Sequence, residues 1–130
     1  MKRSLLVLAV VAAMAPVWAH HSFSAAYDTN NAITVKGVIS SVRLQNPHSW
    51  FYLDVKDAQG NIQKWSFEAG TPSGMMRNGY KPGEIHAGVE VTIKGFHARD
   101  LTKNVGMLRE LITADGKSYG MFGPQEGSGK

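Results

Sequence analysis

Three histidines offer the clearest chemistry in this chain. His20 and His21 are adjacent near the N-terminus, and His48 follows an Asn-Pro pair in mid-chain. If His20 is the first residue of the mature protein, its free α-amino group and its Nδ1 can chelate a metal in a six-membered ring. Nitrogen ligands of this kind suit Cu(II), Ni(II) or Zn(II). We therefore predict a metal site formed by His20, His21 and His48, with copper as the metal and His97 as the alternative third imidazole.

The N-terminal segment determines whether His20 can act in this way. Lys2 and Arg3 supply positive charge, an apolar run covers residues 5–17, and Val17 and Ala19 are small residues at positions that a signal peptidase reads. This layout is typical of a secretory signal peptide, and the run is shorter than the ~20 residues of a membrane span. We expect cleavage after Ala19 and a periplasmic mature protein. The alternatives are a retained N-terminal anchor, or cleavage after Ala26.

Composition excludes several classes of function. The chain of 130 residues has no cysteine, which rules out disulfides, thiolate metal ligands and a cysteine nucleophile. The signal peptide takes two of the 14 basic residues and none of the 10 acidic ones, so the mature charge is about +2. The remaining basic residues are scattered, which argues against nucleic acid as a partner.

Catalytic signatures are also missing. The serines lack a nucleophile-elbow context, the histidines lack the spacing of a zinc protease, and no nucleophile, base and oxyanion donor can be named together. The sequence therefore predicts a binding protein rather than an enzyme. Its partner is either a small ligand or another protein of the cell envelope.

The apolar pattern predicts five strands and one short helix. Alternation is clearest after His48, where Phe51, Leu53 and Val55 share one face of a strand. Thr71 is placed to cap a short helix that has Pro72 at its first position. The predicted strands cover residues 33–44, 50–57, 62–69, 89–94 and 105–113, and the helix body covers residues 74–78.

This order predicts an all-β, OB-fold-like, partly open barrel of five strands with a helix between the third and the fourth. The inward face of the first strand changes near Gly37, which indicates a bulge or a bend there. The sequence contains too few strand signals for an eight-stranded sandwich. A parallel α/β sheet does not allow the tight turns between consecutive strands.

A barrel of this kind binds ligands on the surface of its second and third strands and on the loops beside them. The second strand points Trp50 and Tyr52 outward, and the third points Lys64 outward. The loop predicted over residues 95–104 contributes His97 and Arg99. These five residues form the alternative to the metal site, a ligand- or protein-binding face without metal.

Several ordered motifs resemble a small exported bacterial family of unknown function. They are Ala-His-His-Ser-Phe at the export junction, Asn-Pro-His-Ser-Trp at His48, an Asp-Ala-Gln-Gly turn and Trp-Ser-Phe-Glu-Ala-Gly-Thr-Pro-Ser. The resemblance covers roughly residues 20–119. It implies export and a single domain, and it implies no activity, cofactor or partner.

The predicted organisation is a signal peptide at residues 1–19, an N-terminal arm at 20–31, an OB-like barrel domain at 32–122 and a disordered tail at 123–130. Phe23 and Tyr27 are the residues through which the arm would pack across the domain. The metal hypothesis depends on whether this arm reaches His48.

Overall fold

The computed structural model of the protein describes residues 23–121. The predicted signal peptide, His20, His21 and the predicted tail at residues 123–130 lie outside this range. Among the described residues, no helix has both the length and the apolar character needed to cross a membrane.

Five strands form a ring of hydrogen-bonded neighbours. The order across the sheet is β3-β2-β1-β4-β5-β6, and a parallel pairing between β3 and β5 closes the ring. The all-β prediction is confirmed, and the helix α1 lies between β3 and β4 as predicted. The elements are β1 (Tyr27–Arg43), β2 (Trp50–Lys56), β3 (Ile62–Glu68), α1 (Pro72–Arg77), β4 (Glu90–Ala98), β5 (Val105–Thr113) and β6 (Ser118–Gly120).

Alternation along β2 and β3 defines the inside of the ring. Phe51 and Leu53 of β2 are fully buried, and Phe67 of β3 pairs with Phe51 across the two strands. Because neighbouring side chains of a strand point to opposite faces, Trp50 and Glu68 lie together on the outer face. The main core also includes Ile39, Met75, Ile93, Leu108, Leu111, Tyr119 and Met121.

The helix α1 begins and ends where its sequence indicates. The Thr71 side chain accepts a hydrogen bond from the backbone N–H of Gly74, Pro72 occupies the first turn, and Gly79 follows the helix with a φ of 93°. That φ lies in the left-handed region that glycine tolerates. Met75 anchors the helix by pointing into the main core.

The first strand differs from its prediction at two points. It begins at Tyr27 rather than at residue 33, because Tyr27 pairs with Ala98 before a register irregularity spans the polar residues 28–31. Its change of inward face lies at the register shift between Ile39 and Ser41 rather than at Gly37. Gly37 instead permits a close approach of β2, since a Cβ there would lie 2.6 Å from the carbonyl oxygen of Asp54.

The fourth strand is longer than predicted. It continues through residues 95–98, which were expected to be loop, and only residues 99–104 connect it to β5. Gly95 explains the error, because it resembles a turn residue in the sequence but allows close packing in the structure. A Cβ at Gly95 would lie 1.8 Å from the carbonyl oxygen of Met107 in β5. His97 is therefore a strand residue.

We predict that Gly95→Ala lowers the free energy of unfolding by about 1–3 kcal/mol, the usual cost of forcing extra atoms into a packed interior. Gly120→Ala is the matched control, because a Cβ at Gly120 would meet no atom within 4 Å. Its effect should stay within about 0.5 kcal/mol. Urea unfolding followed by tryptophan fluorescence measures both, and equal stabilities for the two variants would contradict the close approach.

Candidate functional site

A second apolar cluster lies on the outer face of the ring. Met107 and Leu108 are adjacent in β5 and both buried, yet Leu108 belongs to the main core and Met107 to a separate cluster with Tyr27 and Ala98. Since adjacent residues of a strand point to opposite faces, this second cluster covers the outside of the sheet. Phe23, Phe96 and Val105 complete it.

The N-terminal arm docks on this outer cluster. Residues 23–26 are helical, and the ring of Phe23 lies 5.9 Å from that of Tyr27. Arg99 holds the arm twice: its Nε donates to the carbonyl oxygen of Ser24 at 2.6 Å, and its backbone N–H donates to that of Ala26 at 2.8 Å. The arm thus packs across the domain through Phe23 and Tyr27, as the sequence predicted.

The carboxylate of Glu68 joins the arm to the loop before β2. One oxygen, Oε1, lies 2.6 Å from Nδ1 of His48, and the other accepts a hydrogen bond from the Tyr27 hydroxyl. The Glu68 side chain is 17% exposed and that of His48 is 31% exposed. Because a carboxylate oxygen accepts, Nδ1 of His48 carries the proton, and Nε2 is the nitrogen left with a lone pair in the neutral ring.

His48 is held by the backbone on one side and by the arm on the other. The next residue, Ser49, is fully buried, and it exchanges backbone hydrogen bonds with Ala69 at 2.8 Å and Gly70 at 3.0 Å. On the arm side, the ring of Phe23 meets the imidazole edge-on with centroids 5.1 Å apart. The arm therefore does reach His48.

Tyr27 is tightly confined in this arrangement. Only 4% of the residue is exposed. Burial, followed by the hydrogen bond to the Glu68 carboxylate, raises the pKa of the Tyr27 hydroxyl well above its usual range. The phenol therefore keeps its proton and remains a donor to Glu68 at physiological pH.

The residues of the predicted ligand face occupy three different environments. Trp50 and Tyr52 stack on the outer face of β2 with ring centroids 6.5 Å apart, and Lys64 forms an ion pair with Asp54 beside them. His97 contacts Trp65 edge-on at 5.5 Å, and its Nδ1 lies 2.7 Å from the carbonyl oxygen of Ala98. Arg99 contacts the arm. The contacts thus place Trp50, Tyr52 and Lys64 on one face and place His97 and Arg99 elsewhere.

A metal site cannot be completed from the described part of the chain alone. Within residues 23–121, no three His, Cys, Asp or Glu side chains are grouped so that they could hold a metal ion. Of the three predicted ligands His20, His21 and His48, only His48 lies within the described residues. Any site built on it needs further ligands from outside this range.

Glu68 and Tyr27 are the two site residues that sequence reasoning missed. The register pairs Trp50 with Glu68 across β2 and β3, which places Glu68 near His48. Counting outward from the tight turn between β2 and β3 gives this register, so the hairpin contained the signal. No such local signal connects Tyr27 with Glu68, because they are 41 residues apart and meet only when the ring closes.

A separate depression beside the turn between β5 and β6 does not form a comparable site. Lys117 pairs there with the Glu84 carboxylate, and its ammonium lies 4.8 Å from the centre of the Tyr119 ring. The ammonium of Lys117 therefore contacts both the carboxylate and the ring that line this depression.

Comparison with known proteins identifies a family. A family model described as "Family of unknown function (DUF6152)" matches residues 7–107 of the chain. No curated protein and no solved structure matches the chain significantly.

We predict that Tyr27→Phe lowers the free energy of unfolding by about 1–2 kcal/mol at neutral pH, because Glu68 loses a buried donor. A raised tyrosine pKa also means that stability is fully present below the ordinary value of 10.0 and falls as pH rises above it. The natural protein should therefore lose stability above about pH 10 more steeply than Tyr27→Phe. Tyr52→Phe, on the outer face of β2, serves as the control for the removal of a tyrosine hydroxyl. Parallel slopes for all three proteins in urea titrations at pH 8 to 11 would contradict this assignment.

Proposed function

The chain belongs to this family of unknown function, and we propose that it is an exported, non-enzymatic binding protein for a transition metal, with Cu(II) as the metal. The observation that carries the proposal is the contact between His48 Nδ1 and Glu68 Oε1 at 2.6 Å. Histidines that ligate metals almost always donate their other ring nitrogen to a carboxylate, a carbonyl or a water molecule. His48 has this arrangement, with Nε2 available as the ligand.

The other ligands proposed are His20 and His21. Two residues of extended chain span up to about 7 Å, so the arm is long enough for His21 to approach the His48 ring from the docked Phe23. His20 would add its ring and, once it is the first residue, its α-amino group. Three imidazoles and an amine form the nitrogen-rich set that Cu(II) prefers.

Export is a part of the proposal that rests on the N-terminal sequence. Its charged start, apolar run and small residues before His20 support a signal peptide. The family model begins at residue 7 and so includes most of that segment. Removal of the segment after Ala19 would expose the amine that the metal site requires.

We predict that the protein purified from the periplasm of its host binds one Cu(II) and gives an electron paramagnetic resonance spectrum with nitrogen ligation. Glu68→Gln should weaken binding about 10- to 100-fold, the usual cost of losing a carboxylate behind a ligating histidine, and His48→Ala should alter the spectrum itself. His86→Ala is the matched control, because His86 is an exposed histidine bonded to the carbonyl of its own neighbour. It should bind copper as the natural protein does.

Two results would contradict the metal site. An intact mass showing that the exported protein begins at Tyr27 would remove both N-terminal ligands. A spectrum unchanged by His48→Ala would show that His48 is not a copper ligand.

A second candidate function is favoured by the stacked pair on β2. Trp50 and Tyr52 lie half-buried on the outer face with an interplanar angle of 21°, next to the ion pair between Lys64 and Asp54. Tyr and Trp are enriched where proteins bind partners, and polar groups surround the centre of such interfaces. Such a face would bind an envelope protein or a small ligand without metal.

For this second candidate, Trp50→Ala should abolish retention of the partner from an envelope extract and leave copper binding intact. The control is Leu101→Ala, which removes an exposed apolar side chain from the loop between β4 and β5. Equal retention by both variants would exclude the stacked pair as the binding face.

A further inference from the structure

We propose that the outer face formed by β1, β2 and β3 binds an oligosaccharide that carries a carboxylate group. This inference rests on the second candidate function and deepens it, because it names the class of ligand for the surface around Trp50 and Tyr52. We call this surface the aromatic face. It consists of Trp50 and Tyr52, the residues paired with them on β1 and β3, and the ion pair between Asp54 and Lys64.

The pairing registers place polar side chains on both sides of the two rings. Directly paired residues of an antiparallel sheet have their side chains on the same face, with Cβ atoms about 5 Å apart. Trp50 is paired with Arg43 of β1. Tyr52 is paired with Ser41 on β1 and with Ser66 on β3. Hydroxyl groups thus lie on either side of Tyr52, and a guanidinium group lies beside Trp50.

Arg43 is the cation of this face that has no partner in the described part of the chain. It is exposed, and no ion pair or hydrogen bond joins its side chain to another residue within 23–121. Lys64, by contrast, is paired with Asp54, and both oxygens of Glu68 are engaged, by the arm and by His48. A guanidinium forms its strongest hydrogen bonds with a carboxylate. The aromatic face therefore offers one free cation for a ligand with an isolated carboxylate.

The two rings give the aromatic face an apolar centre. Trp50 and Tyr52 are half-buried, their planes differ by 21°, and their centroids are 6.5 Å apart. This separation is near the upper end of the range for ring contacts, so neither ring fully covers the other. A sugar ring has an apolar side of C–H groups and a rim of hydroxyls. Its apolar side can pack on these rings while its hydroxyls bind those of Ser41 and Ser66.

Two other classes of ligand fit this face less well. Because β2 is hydrogen-bonded to β1 on one edge and to β3 on the other, a peptide cannot add to it as a further strand. A single-stranded nucleic acid requires a series of cations along its phosphates. On this face the cations Arg43 and Lys64 are balanced by the anions Asp54 and Glu68. An oligosaccharide with one carboxylate near the stacked sugar requires a single free cation.

The test compares two tetrasaccharides that share the same backbone. One consists of N-acetylglucosamine alone, and in the other N-acetylmuramic acid alternates with it and adds a carboxylate. Binding to the purified protein is measured by calorimetry and by the shift of the Trp50 indole N–H signal in nuclear magnetic resonance spectra. We expect the acidic tetrasaccharide to bind about tenfold more tightly, since one hydrogen-bonded charge contributes about that factor. The Trp50 signal should move with both sugars.

The variants separate the charge from the rings. Arg43→Gln should weaken binding of the acidic tetrasaccharide about tenfold and leave that of the neutral one unchanged. The matched control is Arg77→Gln, which removes the same charge from the exposed end of α1 and should keep the preference. Trp50→Ala should weaken binding of both sugars about tenfold, because the apolar centre is lost. Tyr52→Ala provides a second route to that result, and unfolding in urea verifies that each variant is folded.

The outcomes distinguish this inference from the function on which it rests. A preference for the acidic sugar that Arg43→Gln loses and Arg77→Gln keeps supports the inference. Equal affinities for the two sugars, a preference that Arg43→Gln keeps, or binding that Trp50→Ala and Tyr52→Ala leave unchanged overturns it. If neither sugar binds but Trp50→Ala still abolishes retention of an envelope protein, the second candidate function stands without this inference. If that retention is unchanged as well, both are overturned.

Discussion

The Glu68 carboxylate joins the N-terminal arm to the loop before β2 on the outer face of the strand ring. It is largely buried, and its two oxygens meet Tyr27 and His48, which come from different segments of the chain. Burying a carboxylate without such partners would lower the stability of the folded protein by several kcal/mol, because its charge would be uncompensated. The two contacts of Glu68 therefore join the arm to the loop before β2 and fix Nδ1 of His48 as a donor.

Closure of the strand ring brings Glu68 next to the N-terminal arm. The parallel pairing of β3 with β5 sets Met107 beside Glu68 and gives the arm an apolar surface on which to dock. Two glycines permit this packing, since a Cβ at Gly95 or at Gly106 would overlap with neighbouring atoms. The interior and the candidate site are thus consequences of the same strand pairings.

The sequence predicted the features that local patterns determine. The all-β class, the helix cap at Thr71 and the inward face of β2 follow from periodicity and turn chemistry, and the structure confirms them. The start of β1 was missed because polar residues interrupt it, and the end of β4 because Gly95 resembles a turn. The contact between Tyr27 and Glu68 could not be predicted, since it joins residues 41 apart and exists only in the closed ring.

His48 follows the turn before β2, and it is the residue of this turn that the proposed metal site uses. His48 is partly exposed, and its contact with Glu68 uses only Nδ1. In the proposed site, the remaining ligands would include an α-amino group that forms only if the proposed signal peptide is removed. A precursor that kept this segment would lack that nitrogen, so the proposed site would be complete only after the cleavage. Placing part of the proposed site on the arm would thereby link metal binding to that cleavage.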